Sequence, residues 1–143
     1  MSRLNELYNL AEKENIQIFS FALPLVSSVS MMDLKGNCSI GIDPFSIETY
    51  AEEKEHLAHE LGHCITGSFY NIYSDCDVIA KAEYKADKWA IKKLIPEDEL
   101  RNAYEFGYTE LWQLSELFGV PEEFMLKAVH YYKENAFNKI QKV

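Results

Sequence analysis

The sequence lacks the features that would place it in a membrane, in a secretion route or on nucleic acid. No apolar run approaches the roughly 20 residues of a membrane-spanning helix, and Met1–Glu6 lacks the basic and apolar regions of a signal peptide. Fourteen basic residues against 23 acidic ones give a formal net charge of −9, whereas a nucleic-acid surface normally needs a basic patch. We therefore predict a cytoplasmic protein that binds neither a membrane nor nucleic acid directly; binding to another protein stays open.

Cysteine is scarce and irregularly spaced. Cys38, Cys64 and Cys76 are an odd number and form no C-x-x-C pair, so the spacing suggests neither a disulfide framework nor a four-cysteine zinc site. We expect Cys64 to be a small buried residue, because its neighbour at position 63, a candidate ligand, points about 100° away on a helix.

The order of the predicted elements indicates an α+β fold in one domain. The 143 residues include nine Tyr, eight Phe and two Trp, which is enough for a substantial core. Leucines at helical spacing predict a first helix over about residues 2–14. Three extended runs follow, at residues 16–21, 27–32 and 38–42. Gly36 and Asn37 lie between the last two runs and indicate a hairpin.

Helices make up the remainder of the prediction. After the helix that carries the motif described below, we expect helices over residues 79–95, 96–106, 109–118 and 121–132. Strands early and helices late are typical of the α+β class. Within the single domain we distinguish a helix plus sheet, two zinc-site helices and a group of C-terminal helices, over residues 1–47, 48–96 and 97–143.

An H-E-x-x-H motif, formed by His59, Glu60 and His63, is the centre of the chain. On a helix, residues four apart differ by about 40° in azimuth and about 6 Å in rise, so both imidazoles project from one face. Two nitrogen donors suit Zn²⁺, and a carboxylate beside them can accept a proton from water that the metal activates. The motif also occurs by chance, and the alternative is two histidines on an ordinary amphipathic helix.

The flanking residues favour a buried helix around the motif. Thr49 and Glu52 match a T-x-x-E capping box, which predicts a helix start, and Gly67 is a plausible stop. Gly62 lowers helix propensity by about 1 kcal/mol relative to alanine. A helix that accepts this cost is expected to have another part of the chain close to its backbone at Gly62.

The third metal ligand is predicted on a later helix. The extended form of the motif fails, because Thr66 and Phe69 occupy its glycine and third-histidine positions. Glu83 is the best candidate ligand, and Asp87, one turn further on the same face, could accept the second N–H of a ligand histidine. The alternative is that both acids are solvated and pair with the neighbouring lysines, Lys81, Lys85 and Lys88.

Three further side chains near the motif are candidates for substrate contact. Tyr70 and Tyr73 lie in a polar and aromatic loop that leaves the motif helix, and either could donate a hydrogen bond to an oxyanion. The alternative, which the composition of the loop favours, is that both are aromatic plugs under the loop. His56 falls on the same helical stripe as the ligands and could lean toward substrate, or be a polar residue at the rim.

Three segments together resemble a known family. They are His59-Glu60-Leu61-Gly62-His63, Glu83-x-x-Ala86-Asp87-x-Trp89-Ala90 and Leu94-Ile95-Pro96. This combination resembles the ImmA/IrrE family of metallo-endopeptidases, which pairs H-E-x-G-H with an E-x-x-A-[N/D]-x-[F/W]-A helix that ends at a proline. The similarity extends from about Ile16 to Val129. One departure is His56, a position that is often threonine in relatives.

The resemblance implies a zinc protease with a gluzincin-like site in a small zincin-like domain. His59, His63 and Glu83 would hold one Zn²⁺ per chain, and Glu60 would act as general base and acid. It also implies a substrate class: helix-turn-helix transcriptional repressors, or other regulators of phages, mobile elements and stress responses. Zinc is the expected metal, although Mn²⁺ and Fe²⁺ also accept such ligands.

Two alternative functions compete with the endopeptidase. In the first, the protein is a non-catalytic zinc-containing module that sequesters a repressor; an intact Glu60 argues against it, because a structural site needs no base. In the second, the helix-glycine-helix pattern of residues 111–125 binds DNA. That pattern continues with Glu122 and Glu123, which phosphates would repel. We interpret the pair as a packing unit, and as a possible docking surface for the protein substrate.

Overall fold

The structure is a computed structural model that describes the backbone of residues 2–141 and the side chains of residues 2–136. Its elements in chain order are α1 (Arg3–Lys13), β1 (Gln17–Ser20), β2 (Ser28–Met32), β3 (Cys38–Ile42), α2 (Tyr50–Thr66), α3 (Cys76–Leu94), α4 (Glu97–Glu105), α5 (Leu111–Phe118) and α6 (Glu122–Gln141). This is the predicted α+β class, with one helix and a small sheet followed by helices. The largest differences from the prediction are that α3 begins three residues earlier, at Cys76, and that α6 continues beyond residue 132.

The three strands form one mixed sheet in the order β1-β3-β2. The predicted hairpin is confirmed: β2 and β3 pair antiparallel, with Met32 opposite Cys38. Gly36 has a φ of 86° in the turn between them, a backbone conformation that glycine adopts at little cost. In contrast, β1 pairs parallel to β3. As a result β2 is an edge strand of the described sheet, and its outer backbone groups are available to another extended chain.

Two compact units make up the chain, Met1–Ala90 and Ile91–Val143. In the first unit, α2 contacts α1, β2 and β3, and Tyr8 of α1 donates a hydrogen bond to the carboxylate of Glu53 in α2. The fully buried side chains of this unit come from α1, α2, α3 and the sheet and include Leu7, Ile40, Leu57, Ala58, Leu61, Ala86 and Ala90. The helix that carries the motif is therefore packed into a core, which agrees with the buried helix predicted around the motif.

The second unit consists of the end of α3 followed by α4, α5 and α6. Pro96 is the N-cap of α4, and Gly119, with a φ of 65°, ends α5 in the left-handed conformation before α6 begins. Tyr132 of α6 donates a hydrogen bond to the carbonyl oxygen of Ile95 at 2.6 Å. The buried apolar residues of this unit include Leu94, Ile95, Leu114, Phe124, Met125 and Ala128.

A disulfide joins Cys38 to Cys64, which contradicts the expectation drawn from cysteine spacing. The bond links the first residue of β3 to the last turn of α2 across a sequence separation of 26, with the Cα atoms 5.9 Å apart. Sequence spacing missed it because the two residues meet only after the hairpin packs beside the helix. Cys64 is consequently a half-buried bridging residue, whereas Cys76 is exposed and unbridged.

None of the helices that the structure describes combines the length and the apolar character needed to cross a membrane. The cytoplasmic location stays a prediction.

Candidate metal centre

Local sequence sets both ends of the helix that carries the motif. The Thr49 hydroxyl accepts a hydrogen bond from the backbone N–H of Glu52, as an N-cap should. The predicted capping box is only half formed, because the Glu52 carboxylate accepts from the N–H of Glu48 and not from that of Thr49. At the other end Gly67 adopts the left-handed conformation, with a φ of 67°, and its N–H bonds to the carbonyl oxygen of His63.

At Gly62, α2 and α3 approach each other closely, as the position of this glycine in the motif predicts. A Cβ atom added to Gly62 would lie 2.6 Å from the carbonyl oxygen of Ala86 and 3.0 Å from its Cα. Both are backbone atoms of α3, so a side chain could not be accommodated without separating the helices. This close approach brings Glu83 and Asp87, which lie on either side of Ala86 on α3, within reach of the histidines on α2.

Three predicted ligands converge on one point. The Nε2 atom of His59 lies 2.8 Å from a carboxylate oxygen of Glu83, and the Nε2 atom of His63 lies 3.2 Å from the other. The two Nε2 atoms are 3.1 Å apart, and one ligand atom from each residue lies within 4.8 Å of the others. For comparison, ligand atoms about 2.0–2.1 Å from a tetrahedral Zn²⁺ are roughly 3.3 Å apart. Glu83 therefore occupies the position that a third metal ligand requires.

The remaining ring nitrogens of both histidines have acceptors. Nδ1 of His59 lies 2.9 Å from a carboxylate oxygen of Asp87, which is the contact that helical spacing predicts. Nδ1 of His63 lies 2.6 Å from the carbonyl oxygen of Ser68, a partner that the sequence did not reveal. The one feature of the sequence that could have indicated this contact is Gly67, because its left-handed conformation turns the chain so that Ser68 meets His63.

These outer contacts establish that the residues fit a cation. Because carbonyl and carboxylate oxygens only accept, each Nδ1 must carry the hydrogen, which leaves a lone pair on each Nε2 of a neutral ring. When both rings are neutral, two such lone pairs and the Glu83 carboxylate face one another without a hydrogen between them. A bound cation would accept an electron pair from each of these three groups at once.

Charge around His59 favours its protonated form when no metal is bound. Burial of the ring lowers its pKa, but the hydrogen bond that His59 donates to Asp87 and the negative charges of Glu60, Asp87 and Glu83 more than offset this, so the pKa of His59 is raised above the ordinary value of 6.5. Negative charge of the same kind attracts a divalent cation. Metal and proton therefore compete for this ring.

The carboxylate of Glu60 is buried beside the metal ligands and is held by β2. Only 7% of the residue is exposed, and one of its oxygens accepts a hydrogen bond from the Ser28 hydroxyl at 2.7 Å. The same hydroxyl oxygen lies 3.1 Å from Nδ1 of His56. His56 therefore contacts Ser28, and no contact joins it to the three converging ligands. Sequence reasoning missed Ser28, which lies 32 positions from Glu60 and carries no motif.

Tyr70 and Tyr73, the two loop tyrosines, have different surroundings. The Tyr70 hydroxyl donates to a carboxylate oxygen of Glu83 at 2.6 Å, and this bond, with burial and the nearby charge, raises the pKa of Tyr70 to about 12. Tyr70 thus keeps its proton at neutral pH. By contrast, Tyr73 is 88% exposed and does not line the cleft that contains the ligands.

A cleft of about 270 Å³ opens onto the three ligands and Glu60. One wall is the edge strand β2 with Val26, two residues before it, and another wall is formed by the loop after α2. The residues that line the cleft, other than the ligands and Glu60, are Val26, Ser28, Val29, Ser30, Phe69 and Tyr70. The cleft therefore presents an unpaired strand edge beside a cation site.

Comparison with known families decides the affiliation. Residues 45–130 match peptidase family M78, described as the IrrE N-terminal-like domain. The chain belongs to this family. A search of curated proteins returns no match.

Membership of family M78 confirms the resemblance to ImmA/IrrE proteins and indicates a role of the metallopeptidase type. The matched region begins at residue 45, so the similarity predicted from about Ile16 is matched from the segment before α2 onward. The matched region contains the converging ligands, His59, His63 and Glu83, and also Glu60 and Asp87. The geometry thus brings three candidate ligands together inside the region that the family model matches.

Proposed function

We propose that the protein is a zinc-dependent endopeptidase that cleaves a regulatory protein, with one Zn²⁺ held by His59, His63 and Glu83. The convergence of two Nε2 atoms and one carboxylate in an open cleft carries this proposal. The donor set suits zinc, because two imidazoles and one carboxylate leave a fourth position for water or substrate. When bound, the ion would acidify water and polarise a carbonyl group.

Glu60 is the proposed general base and acid. Its carboxylate is buried beside the ligands, and the Ser28 hydrogen bond occupies one of its oxygens, which leaves the other able to accept a proton from the attacking water. The same carboxyl group then delivers that proton to the nitrogen of the departing amine. Burial strengthens both transfers, because bulk water does not compete for the carboxylate.

Substrate binding and oxyanion stabilisation fall to the two walls of the cleft. An extended peptide can pair with the free edge of β2, so that main-chain hydrogen bonds hold it across the metal site. Tyr70 keeps its proton and points at Glu83 from the opposite wall, which makes its hydroxyl the better placed of the two tyrosines to donate to an oxyanion. Asp87 keeps His59 in the correct tautomer.

The proposed substrate is a helix-turn-helix transcriptional repressor of a phage or mobile element. This rests on the ImmA/IrrE resemblance and is supported by charge. Repressors carry basic DNA-binding surfaces, and a chain with a formal net charge of −9 attracts such a partner while avoiding DNA itself.

Replacement of Glu60 by Gln tests this function. Zinc-loaded protein is incubated with the regulator encoded by the neighbouring gene and with a library of denatured peptides, and products are identified by mass spectrometry. We expect defined cuts from the natural protein, none with chelator, and a rate about 10²- to 10⁴-fold lower for Glu60→Gln. Zinc content should be unchanged in the variant. Full activity of Glu60→Gln would contradict the assignment of the base.

The same variant distinguishes the endopeptidase from a binding module. If Glu60→Gln relieved repression as well as the natural protein does, at one molecule per repressor, sequestration would explain the function. Relief that requires Glu60 and substoichiometric protein indicates cleavage. Metal analysis of the purified protein distinguishes zinc from Mn²⁺ and Fe²⁺.

A further inference from the structure

The hydrogen bonds from β2 to α2 form a short chain whose last acceptor is Glu60. Its members are the Nδ1 atom of His56, the Ser28 hydroxyl and a carboxylate oxygen of Glu60, with separations of 3.1 Å and 2.7 Å. A serine hydroxyl has one hydrogen. Because the ionised Glu60 carboxylate can only accept, that hydrogen is given to Glu60.

This assignment fixes the tautomer of His56. With its own hydrogen committed to Glu60, the Ser28 oxygen can only accept from the imidazole, so Nδ1 of His56 must carry a hydrogen. The donors and acceptors then run in one direction, from His56 through Ser28 to Glu60. Ser28 is a residue of the edge strand, whereas both of its partners lie on α2.

We propose that Ser28 and His56 are positioning residues that orient the carboxylate of Glu60 for proton transfer. This inference rests on the proposed function, since it assigns a role in the same reaction. The Ser28 hydrogen bond occupies one carboxylate oxygen of Glu60 and restrains the group, which lines the cleft, so that the other oxygen can accept the proton. A general base must lie within hydrogen-bond reach of the proton that it takes, and an error of about 1 Å in such a group can reduce a rate about 100-fold.

The contacts of Ser28 separate this role from metal binding. Its hydroxyl contacts Glu60 and His56, whereas the outer partners of the two candidate ligand histidines are Asp87 and the Ser68 carbonyl. Loss of the Ser28 hydroxyl should therefore slow the chemical step without lowering the affinity for zinc. A residue needed only for folding would instead affect stability and metal affinity together.

The test compares Ser28→Ala, Ser28→Thr and Ser39→Ala in the full zinc-loaded chain. The probe is a fluorogenic peptide built on a sequence cleaved in the library experiment. We expect Ser28→Ala to lower kcat about 10- to 100-fold, with KM and zinc affinity within about twofold of the natural values. Ser28→Thr should recover most of kcat, because threonine keeps the hydroxyl and suits a strand. Ser39→Ala, a matched substitution on β3 outside the cleft lining, should leave kcat unchanged.

An NMR readout of His56 is independent of cleavage. In the metal-free protein, at a pH where the ring is neutral, ¹⁵N shifts should report the hydrogen of His56 on Nδ1 in the natural protein and in Ser28→Thr. In Ser28→Ala this preference should be lost, because the acceptor has been removed.

Each result bears on one proposal. Any one of four results would overturn the positioning role. They are normal kcat in Ser28→Ala, no recovery of kcat in Ser28→Thr, parallel loss of zinc affinity and activity, and a hydrogen on Nε2 of His56 in the natural protein. If the natural protein cleaved no peptide and no regulator, the proposed endopeptidase would fail and the positioning role with it. The NMR result would then still establish whether the hydrogen-bond chain exists.

Discussion

The two ring nitrogens of His59 and of His63 have separate partners, and this division makes the two histidines suitable as metal ligands. Asp87 and the Ser68 carbonyl each accept a hydrogen bond from an Nδ1 atom. Nε2 of each ring is then directed at Glu83. Partners of this kind fix the ring orientation and raise the basicity of the ligand atom. At this scale, single hydrogen bonds determine metal affinity.

The raised pKa of His59 makes zinc affinity depend on pH. Protonated His59 cannot bind metal, so affinity should fall as pH decreases through the raised pKa, beginning above the ordinary value of 6.5. The folding stability of the metal-free protein changes with pH in the opposite direction. A raised folded-state pKa adds stability that is fully present below 6.5 and is lost as pH rises through the folded-state pKa.

Competition with a chromophoric chelator over a pH series measures this effect. In Asp87→Asn the pH at which zinc affinity has fallen halfway should be lower, because the negative charge and the hydrogen bond that favour protonated His59 are removed. Zinc affinity at high pH should also be about 10- to 100-fold weaker, owing to the lost outer contact. An unchanged midpoint in Asp87→Asn would show that other groups control the protonation of His59.

Replacement of Gly62 by Ala should destabilise the protein even though alanine is the better helix former. Propensity alone would add about 1 kcal/mol of stability, but the new Cβ would meet the Ala86 carbonyl at 2.6 Å. Overpacking of this kind costs about 1–3 kcal/mol, and zinc affinity should also fall because Glu83 moves with α3.

Urea unfolding compares Gly62→Ala with the natural protein, and Ala80→Gly calibrates propensity at an exposed position of α3. The calibration variant should lose about 1 kcal/mol and keep its zinc affinity. A Gly62→Ala variant more stable than the natural protein would mean that the helices separate at no cost.

Among the elements, α2 and α3 supply the whole candidate ligand set, and β2 supplies the free edge and the support for Glu60. The disulfide ties this arrangement together, because Cys64 directly follows the ligand His63 on α2 and Cys38 begins β3. A covalent link at this place limits how far the sheet and the end of α2 can separate. A reducing compartment keeps such pairs as thiols, so formation of the bond depends on where the chain resides.

Reduction of the disulfide should lower the free energy of unfolding. Closing a loop with a sequence separation of 26 is worth about 3.5 kcal/mol in the chain-entropy description. Unfolding of the oxidised protein is compared with and without dithiothreitol, and Cys76→Ser, which leaves the bridge intact, serves as the control with a change below about 0.5 kcal/mol. Reaction of all three cysteines with a thiol reagent in the oxidised, folded protein would contradict the bond.

At the scale of the whole molecule, net charge is the property that supports the proposed basic partner. Acidic residues outnumber basic ones by 23 to 14, and α6 begins with Glu122 and Glu123. The molecule should therefore attract basic proteins over a distance set by the ionic strength and should repel duplex DNA.

Cleavage of a basic regulator should weaken as salt is added. Between about 0.05 and 0.5 M NaCl we expect kcat/KM to fall by about 10-fold, since screening slows encounter between opposite charges. An uncharged peptide with the same cleavage sequence is the control and should change by less than about twofold. Equal salt dependence of the two substrates would show that charge does not steer binding.

The sequence alone determined the helices, the strands and the parts of the site that follow helical spacing. Periodicity and end signals such as Thr49 and Gly67 act locally, so the chain shows them directly, and the spacing of four residues places His59 with His63 and Glu83 with Asp87. Gly62 predicted a close approach of another part of the chain, because glycine lowers the stability of a helix and this loss must be offset by packing.

Only the tertiary structure decided which distant residues meet. The Cys38–Cys64 bond, the Ser68 carbonyl behind His63 and the Ser28 hydroxyl on Glu60 depend on how the hairpin and the loop after α2 pack against α2. No periodicity links such residues, since their separation along the chain is set by packing and not by helical geometry. The physical reason is that hydrogen bonds and disulfides act over a few ångströms in space, whatever the distance in sequence.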